Sequence, residues 1–361
     1  MVGSAIRVPP GRLPCPLLCA LQLICFMGDA GLSFAQGVEA TRDHFPGIPR
    51  VSAASLTPLS FLRAFVAPSR PVILQHACQG WRALAHWTPE YLAAQSGAAL
   101  VTLSRTPNGR ADAAERDGNF YLPHNERCAL ADALARLQAG PGEGRRCGTP
   151  YLSAQDDCLR QQTPLLAADV GAVAVAEAAL GAAEAVNLWI APPSAGAGAC
   201  AAPPVSTTHK DHYENLITVV SGSKTFTLLP PTDAAFLPTR RCPVMRYAHN
   251  DAACSGCSAQ GAGACWTAQA EGEGPAACVP WITADPDAPD MAAHPLLAMA
   301  SPLRCTVRAG ETLYLPALWY HQVGVGEGEE GLTIAVNKWF EMQHGVAFVA
   351  QQMMAGLLPQ S

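Results

Sequence analysis

A chain of 361 residues with 23 basic and 29 acidic side chains, formal net charge −6, has no basic stripe, so binding to nucleic acid through phosphate neutralisation is not favoured. Apolar residues make up 49% of the chain, enough for a substantial core in one large or two ordinary domains. Its 14 cysteines are scattered without the spacing of a compact disulfide framework, which reads as thiols in a reducing, cytoplasmic or nuclear setting.

Residues 1–45 form an N-terminal extension. Arg7 and Arg12 precede an apolar run, Leu13 to Met27, followed by Ser33-Phe34-Ala35, the layout of a secretory signal. The run is too short and interrupted for a stable membrane span, and the competing reading is a disordered or organelle-targeting extension. A true signal would redirect the protein to the secretory pathway or an organelle.

Residues 46–150 are expected to form helices and strands flanking a barrel. LTPLSFLRAFVA has helical spacing, with Ser55 or Thr57 as cap, and RPVILQ is a short strand whose leading proline suits a sheet edge. Thr88-Pro-Glu starts a helix that Gly97 stops, while Trp81 and Trp87 are core aromatics. Leu100–Leu103 and Asn119–Leu122 read as strands around a turn at Pro107-Asn108-Gly109, followed by a helix over 128–137.

Tyr151, in TPYLSAQ, and NLWI (Asn187–Ile190) open the expected barrel, residues 151–341. An insertion rich in Ala, Gly and Cys, at about 240–278, reads as flexible; a zinc site from Cys254, Cys257, Cys265 and Cys278 is the weaker alternative. VPWITADPDAPDM, from Val279, follows and resembles a loop that crosses the barrel in a known family. Residues 342–361, with HGVAFVAQQMMAGLL, carry helical apolar spacing that would pack on the barrel or on a second copy of the chain.

Chemistry concentrates in Ser206–Leu229, STTHKDHYENLITVVSGSKTFTLL. On a strand, His209 and Asp211 project together while Lys210 turns away. Leu216–Val220 is a buried strand, Ser221-Gly222 a tight turn, and Lys224 opens the next strand. A lysine in so apolar a run either faces water or meets an anion. Downstream, GETLYLPALWYHQV breaks at Pro316 and supplies His321. Two histidines and a carboxylate make the facial set that holds ferrous iron with open positions. In GLTIAVNKWF, Thr333, Ala335, Asn337 and Trp339 share one face, opposite Leu332, Ile334 and Val336, which suits a strand lining a cavity.

Through HKDHYEN, RCTVRAGETLYLPALWYH and IAVNKWF, the chain from about Pro46 to Met354 resembles the jumonji-C oxygenases, which use iron(II), 2-oxoglutarate and dioxygen, and within them the lysyl hydroxylases. The resemblance implies a mainly β fold with flanking helices, a double-stranded β-helix of the cupin or jelly-roll type. It implies His209, Asp211 and His321 as metal ligands and catalytic centre. Lys224, Ser206 and Tyr151 would hold 2-oxoglutarate, with Asn215 and Asn337 in support. It further implies hydroxylation of a protein substrate, such as a developmentally regulated GTP-binding protein, and a homodimer. Competing readings are a jumonji-C histone lysine demethylase or peptidase, a non-catalytic cupin binding module, and a zinc or manganese cupin that does not use 2-oxoglutarate. Lys224 argues against the last, and an intact triad against the module.

Overall fold

Short apolar runs between glycine and proline corners fold as β-strands, and a computed structural model places them in four sheets. It describes residues 45–139, 147–194, 202–250, 265–272, 274–345 and 348–349. Met1–Pro46 and Gly47–Ser361 are separate compact units, and every described element belongs to the second. The signal-like segment, Cys254, Cys257 and nearly all of the expected C-terminal helix lie outside the described residues.

The six-stranded sheet runs β1 (Arg50–Ser52), β2 (Val72–Gln75), β17 (Glu311–Leu315), β11 (Tyr213–Ser221), β19 (Thr333–Glu341), β9 (Ala185–Ala191). A five-stranded sheet runs β16 (Leu303–Arg308), β12 (Ser223–Leu229), β18 (Tyr320–Val325), β10 (Val205–Lys210), β4 (Arg110–Ala111). From β10 to β12, and again from β16 to β19, the chain passes back and forth between these two sheets, as in a double-stranded β-helix. Gly222, at φ +69, makes one crossing, and a Cβ there would meet Thr333 Oγ1 at 2.6 Å. The expected tight turn is thus a corner joining two sheets, and β11 and β12 do not pair with each other.

Among the described residues, seven short α-helices flank the strands: α1 (Pro58–Phe61), α2 (Arg82–His86), α3 (Pro89–Ser96), α4 (Leu130–Gln138), α5 (Cys158–Gln162), α6 (Pro164–Ala167) and α7 (Ala174–Leu180). Thr57 caps α1 in a reciprocal box with Ser60, and Thr88 caps α3, which ends at Gly97. Trp81, Trp87, Leu92 and Leu134 share one buried cluster with Leu188 and Ile190 of β9 and Ile334 and Val336 of β19. Alternation along β19 therefore leaves Thr333, Ala335 and Asn337 on the opposite face.

Three local expectations differ from the structure. β2 is not an edge, because β1 flanks it; Pro71 lies just before the strand, so no ladder bond is lost. A small sheet of β7 (His124–Ala129), β3 (Leu100–Thr106) and β8 (Thr149–Tyr151) takes up β3, while β6 (Phe120–Leu122) pairs elsewhere, so no hairpin joins them. Gly109, at φ +78, packs under the carbonyls of Ala202 and Pro203 and feeds β4 into the barrel sheet instead. The flexible insertion is largely strand where described: β13 (Thr239–His249) pairs with β14 (Trp266–Ala270), β15 (Cys278–Ile282) and β6, with β5 (Ala113–Ala114) beyond. Alanine and glycine masked its aromatic ladder of Tyr121, Tyr247 and Trp266.

Candidate active site

β10 and β18 pair antiparallel with His209 directly opposite His321, so both rings leave the same face of the five-stranded sheet. Asp211 follows in the turn after β10. His209 Nε2 lies 3.9 Å from one Asp211 oxygen and His321 Nε2 3.6 Å from the other. All three ligand atoms lie within 4.8 Å of one another, and among the described residues this is the one cluster able to hold a metal. Each ring spends Nδ1 on a backbone carbonyl, His209 on Thr207 at 2.7 Å and His321 on Trp319 at 3.0 Å, which leaves both Nε2 atoms free on the side of Asp211. Burial, then the neighbouring His209, holds His321 well below the ordinary imidazole range, so the neutral, ligating form prevails.

The corner between β17 and β18 is tied to the same point. Leu318, at φ +70, donates its N–H to the Asp211 carbonyl at 2.8 Å. Glu214 accepts the Tyr314 hydroxyl at 2.7 Å and the Ala317 N–H at 3.2 Å, holding the corner from beneath.

Lys224 pairs with Val325, two strands from β10, on the face that carries His321. It is 4% exposed, and its ammonium donates to the Tyr151 hydroxyl at 2.8 Å and lies over the Tyr151 and Trp189 rings. No carboxylate of a described residue pairs with it, and burial pulls it from 10.5 to about 8. A β-bulge between Ser206 and His209 shifts the register so that Ser206 pairs with Val323, returning it to the His321 face. Asn337 accepts the Trp189 indole N–H at 2.7 Å and donates to Asn215 at 3.2 Å. The two asparagines and Trp189 thus satisfy one another behind Lys224.

Sequence reasoning missed two aromatics. Trp189 lay in a recognised strand without a role. Trp281, read as part of a loop, belongs to β15, stacks parallel to His209 at 6.2 Å and donates to Thr207 Oγ1 at 3.3 Å. A tryptophan directly after a low-complexity stretch was the available signal. Of the other histidines, His212 packs on Phe348 and His249 on Trp266. Cys265 is buried beside Cys147, with the two sulfurs 3.7 Å apart.

The residues fit a ferrous ion and 2-oxoglutarate. Two neutral imidazoles and a carboxylate are the donors of a facial triad, and an unpaired buried ammonium on the same face suits a dicarboxylate. A profile of the cupin-like domain matches residues 58–345. The human bifunctional peptidase and (3S)-lysyl hydroxylase JMJD7 is 38% identical over 303 residues, 83% of this chain and 86% of that protein. Lysine-specific demethylase JMJ32 of Arabidopsis thaliana is 36% identical over 318 residues, 84% and 85% respectively. JmjC domain-containing protein E of Dictyostelium discoideum is 29% identical over 316 residues, 82% and 85%.

Proposed function

Since the chain belongs to the cupin-like family of jumonji-C oxygenases, we propose that it is an iron(II)- and 2-oxoglutarate-dependent protein hydroxylase acting on lysine. The observation that carries the cosubstrate assignment is the Lys224 ammonium, buried without a counter-anion on the face of the metal triad. The lysine assignment is supported by the human relative, a lysyl hydroxylase by name, whose similarity spans most of both chains.

Bound iron with 2-oxoglutarate and dioxygen supplies the oxidising power for C–H hydroxylation. His209, Asp211 and His321 would hold the metal and occupy only one side of it. Lys224, with the Tyr151 hydroxyl and Ser206, would anchor the far carboxylate of 2-oxoglutarate and so fix its orientation. Trp189, Asn215 and Asn337 keep the Lys224 wall rigid through their mutual bonds. Trp281, stacked parallel to His209, would limit the approach of water on that side.

A developmentally regulated GTP-binding protein is the first substrate to try. Iron-loaded protein should form succinate with a matching lysine peptide, and mass spectrometry should show the peptide gaining one oxygen. The plant relative, a lysine-specific demethylase by name, motivates the second reading, for which a methyl-lysine peptide would lose a methylene. Anaerobic 2-oxoglutarate should also produce a weak visible charge-transfer band with iron; its absence in wild type would count against the cosubstrate.

A further inference from the structure

Gln322 follows the ligand His321 on β18, so strand alternation sends its side chain to the face of the five-stranded sheet away from the triad. On that face the segment after β15 lies across the strands and grips them with two carboxylates. Asp287 accepts Arg304 Nε of β16 at 3.0 Å, the Thr227 hydroxyl of β12 at 2.7 Å and Gln322 Nε2 of β18 at 2.9 Å. Asp285 accepts the same Gln322 nitrogen at 2.9 Å and Arg110 Nη1 of β4 at 3.2 Å. Thr227 stands opposite both Arg304 and Gln322 in the ladder, so the row runs straight across the sheet.

Gln322 is the centre of this row. One of its amide hydrogens goes to each carboxylate, and its Oε1 accepts the Thr208 hydroxyl of β10 at 3.3 Å. Gln322 and Thr208 are buried, at 6% and 2% exposure, so water is poorly placed to replace these bonds. An amide suits the position because it offers two donors and an acceptor at one point. A carboxylate there would offer neither donor and would face two others.

The place where Thr208 meets Gln322 matters for the metal ligands. His209 and His321 are paired residues on β10 and β18, with ring centroids 4.2 Å apart. Just before His209 a β-bulge interrupts the register between Ser206 and His209. Thr208 lies in that bulge, and its side-chain bond to Gln322 joins the two strands there. The link therefore connects the residue before one ligand to the residue after the other.

We infer that Gln322 is a positioning residue for the metal centre, setting the approach of His209 to His321 through Thr208 while Asp285 and Asp287 hold its amide in place. This rests on the reading of His209, Asp211 and His321 as metal ligands. The role is to keep the two imidazoles at the spacing the ion requires, and Gln322 itself touches neither metal nor substrate.

The test is titration of the full-length protein with manganese, together with the visible absorption of its cobalt(II) form, which reports ligand geometry without any substrate. Gln322→Glu should weaken manganese binding about tenfold, the usual scale for a group that orients a ligand, and should shift the cobalt bands. Adding Asp285→Asn to it places a donor opposite the new acceptor and should recover part of the affinity. Thr208→Val, which keeps the side-chain shape and loses the hydroxyl, should shift the bands in the same direction with a smaller loss. Asp169→Asn, in the helical flank, should lower the melting temperature and leave affinity and bands as in wild type. Wild-type affinity and bands in Gln322→Glu would overturn the inference. If that variant does not fold, the same result in Thr208→Val would overturn it. An equal loss in Asp169→Asn would also do so, because affinity would then follow stability alone. Failure of the wild type to bind either metal would overturn the metal reading and this inference together.

Discussion

Lys224 is a buried cation with no carboxylate beside it among the described residues, and its energetics have a sign. Burial lowers its proton affinity from 10.5 to about 8, so the folded apo protein holds this proton less tightly than the unfolded chain does. The cost to stability is therefore fully present below about pH 8 and fades as the pH rises from there to 10.5. Lys224→Met, which keeps the volume and removes the charge, should raise the melting temperature of the apo protein at pH 7 in calorimetry. The same variant should weaken 2-oxoglutarate binding about 100-fold or more by titration, since the bound carboxylate would then be buried alone. In wild type, 2-oxoglutarate affinity should decline once the pH passes about 8 and the free ammonium begins to deprotonate. Asp211→Ala should abolish tight iron or manganese binding in a metal titration, because two imidazoles alone leave the charge of the ion unmatched. At this scale His209, Asp211, His321 and Lys224 were singled out from residue type and spacing, and Tyr151 from the family resemblance. Trp281 was not, because its place beside His209 depends on the pairing of β15 with β13.

Between β17 and β18, the Pro316–Trp319 corner decides whether His321 faces Asp211. Glu214, at the start of β11, grips that corner through the Ala317 N–H and the Tyr314 hydroxyl, and Leu318 bonds the Asp211 carbonyl directly. Glu214→Ala would strand a buried phenol hydroxyl and an amide. We expect a loss of about 2 kcal/mol in urea unfolding and about tenfold weaker metal binding by titration, since supports behind ligands have effects of that size. Tyr314→Phe, which keeps the Ala317 bond, should show a smaller effect on both. Legibility at this level was uneven. Caps such as Thr57 and Thr88 and alternation such as that of β19 are local and were read directly. The strands β13, β14 and β15 were hidden by the Ala-, Gly- and Cys-rich run that lies between β13 and β14 in sequence, and they form by pairing with one another and with β6.

Across the whole molecule, the candidate ligands come from β10, from β18 and from the segment joining β10 to β11, so bound ligands should report on global stability. Manganese, as an inert stand-in for iron, together with 2-oxoglutarate at about 100 times the dissociation constant should add about 2.7 kcal/mol by linkage. Thermal unfolding should therefore shift upward in wild type and remain unshifted in Asp211→Ala. The helical flank contributes separately. Asp169 accepts from Arg82, the Trp87 indole and the Tyr91 hydroxyl, and Lys338 of β19 pairs with Glu177 of α7, fastening helices to the barrel on the face away from Asn337.

The order of residues by itself determined most kinds of element, the corners at Gly222 and Pro316, and the candidate ligand set with its accompanying lysine. These depend on side-chain type, φ preference and spacing over a few positions, all of which are written locally. Only the tertiary structure decided that β11 and β12 part into different sheets, that the bulge after Ser206 returns its side chain to the His321 face, and that Lys224 is buried on that face with no carboxylate of a described residue beside it. Those outcomes rest on strand register and on the absence of a neighbouring counter-charge, and both are set by segments remote along the chain.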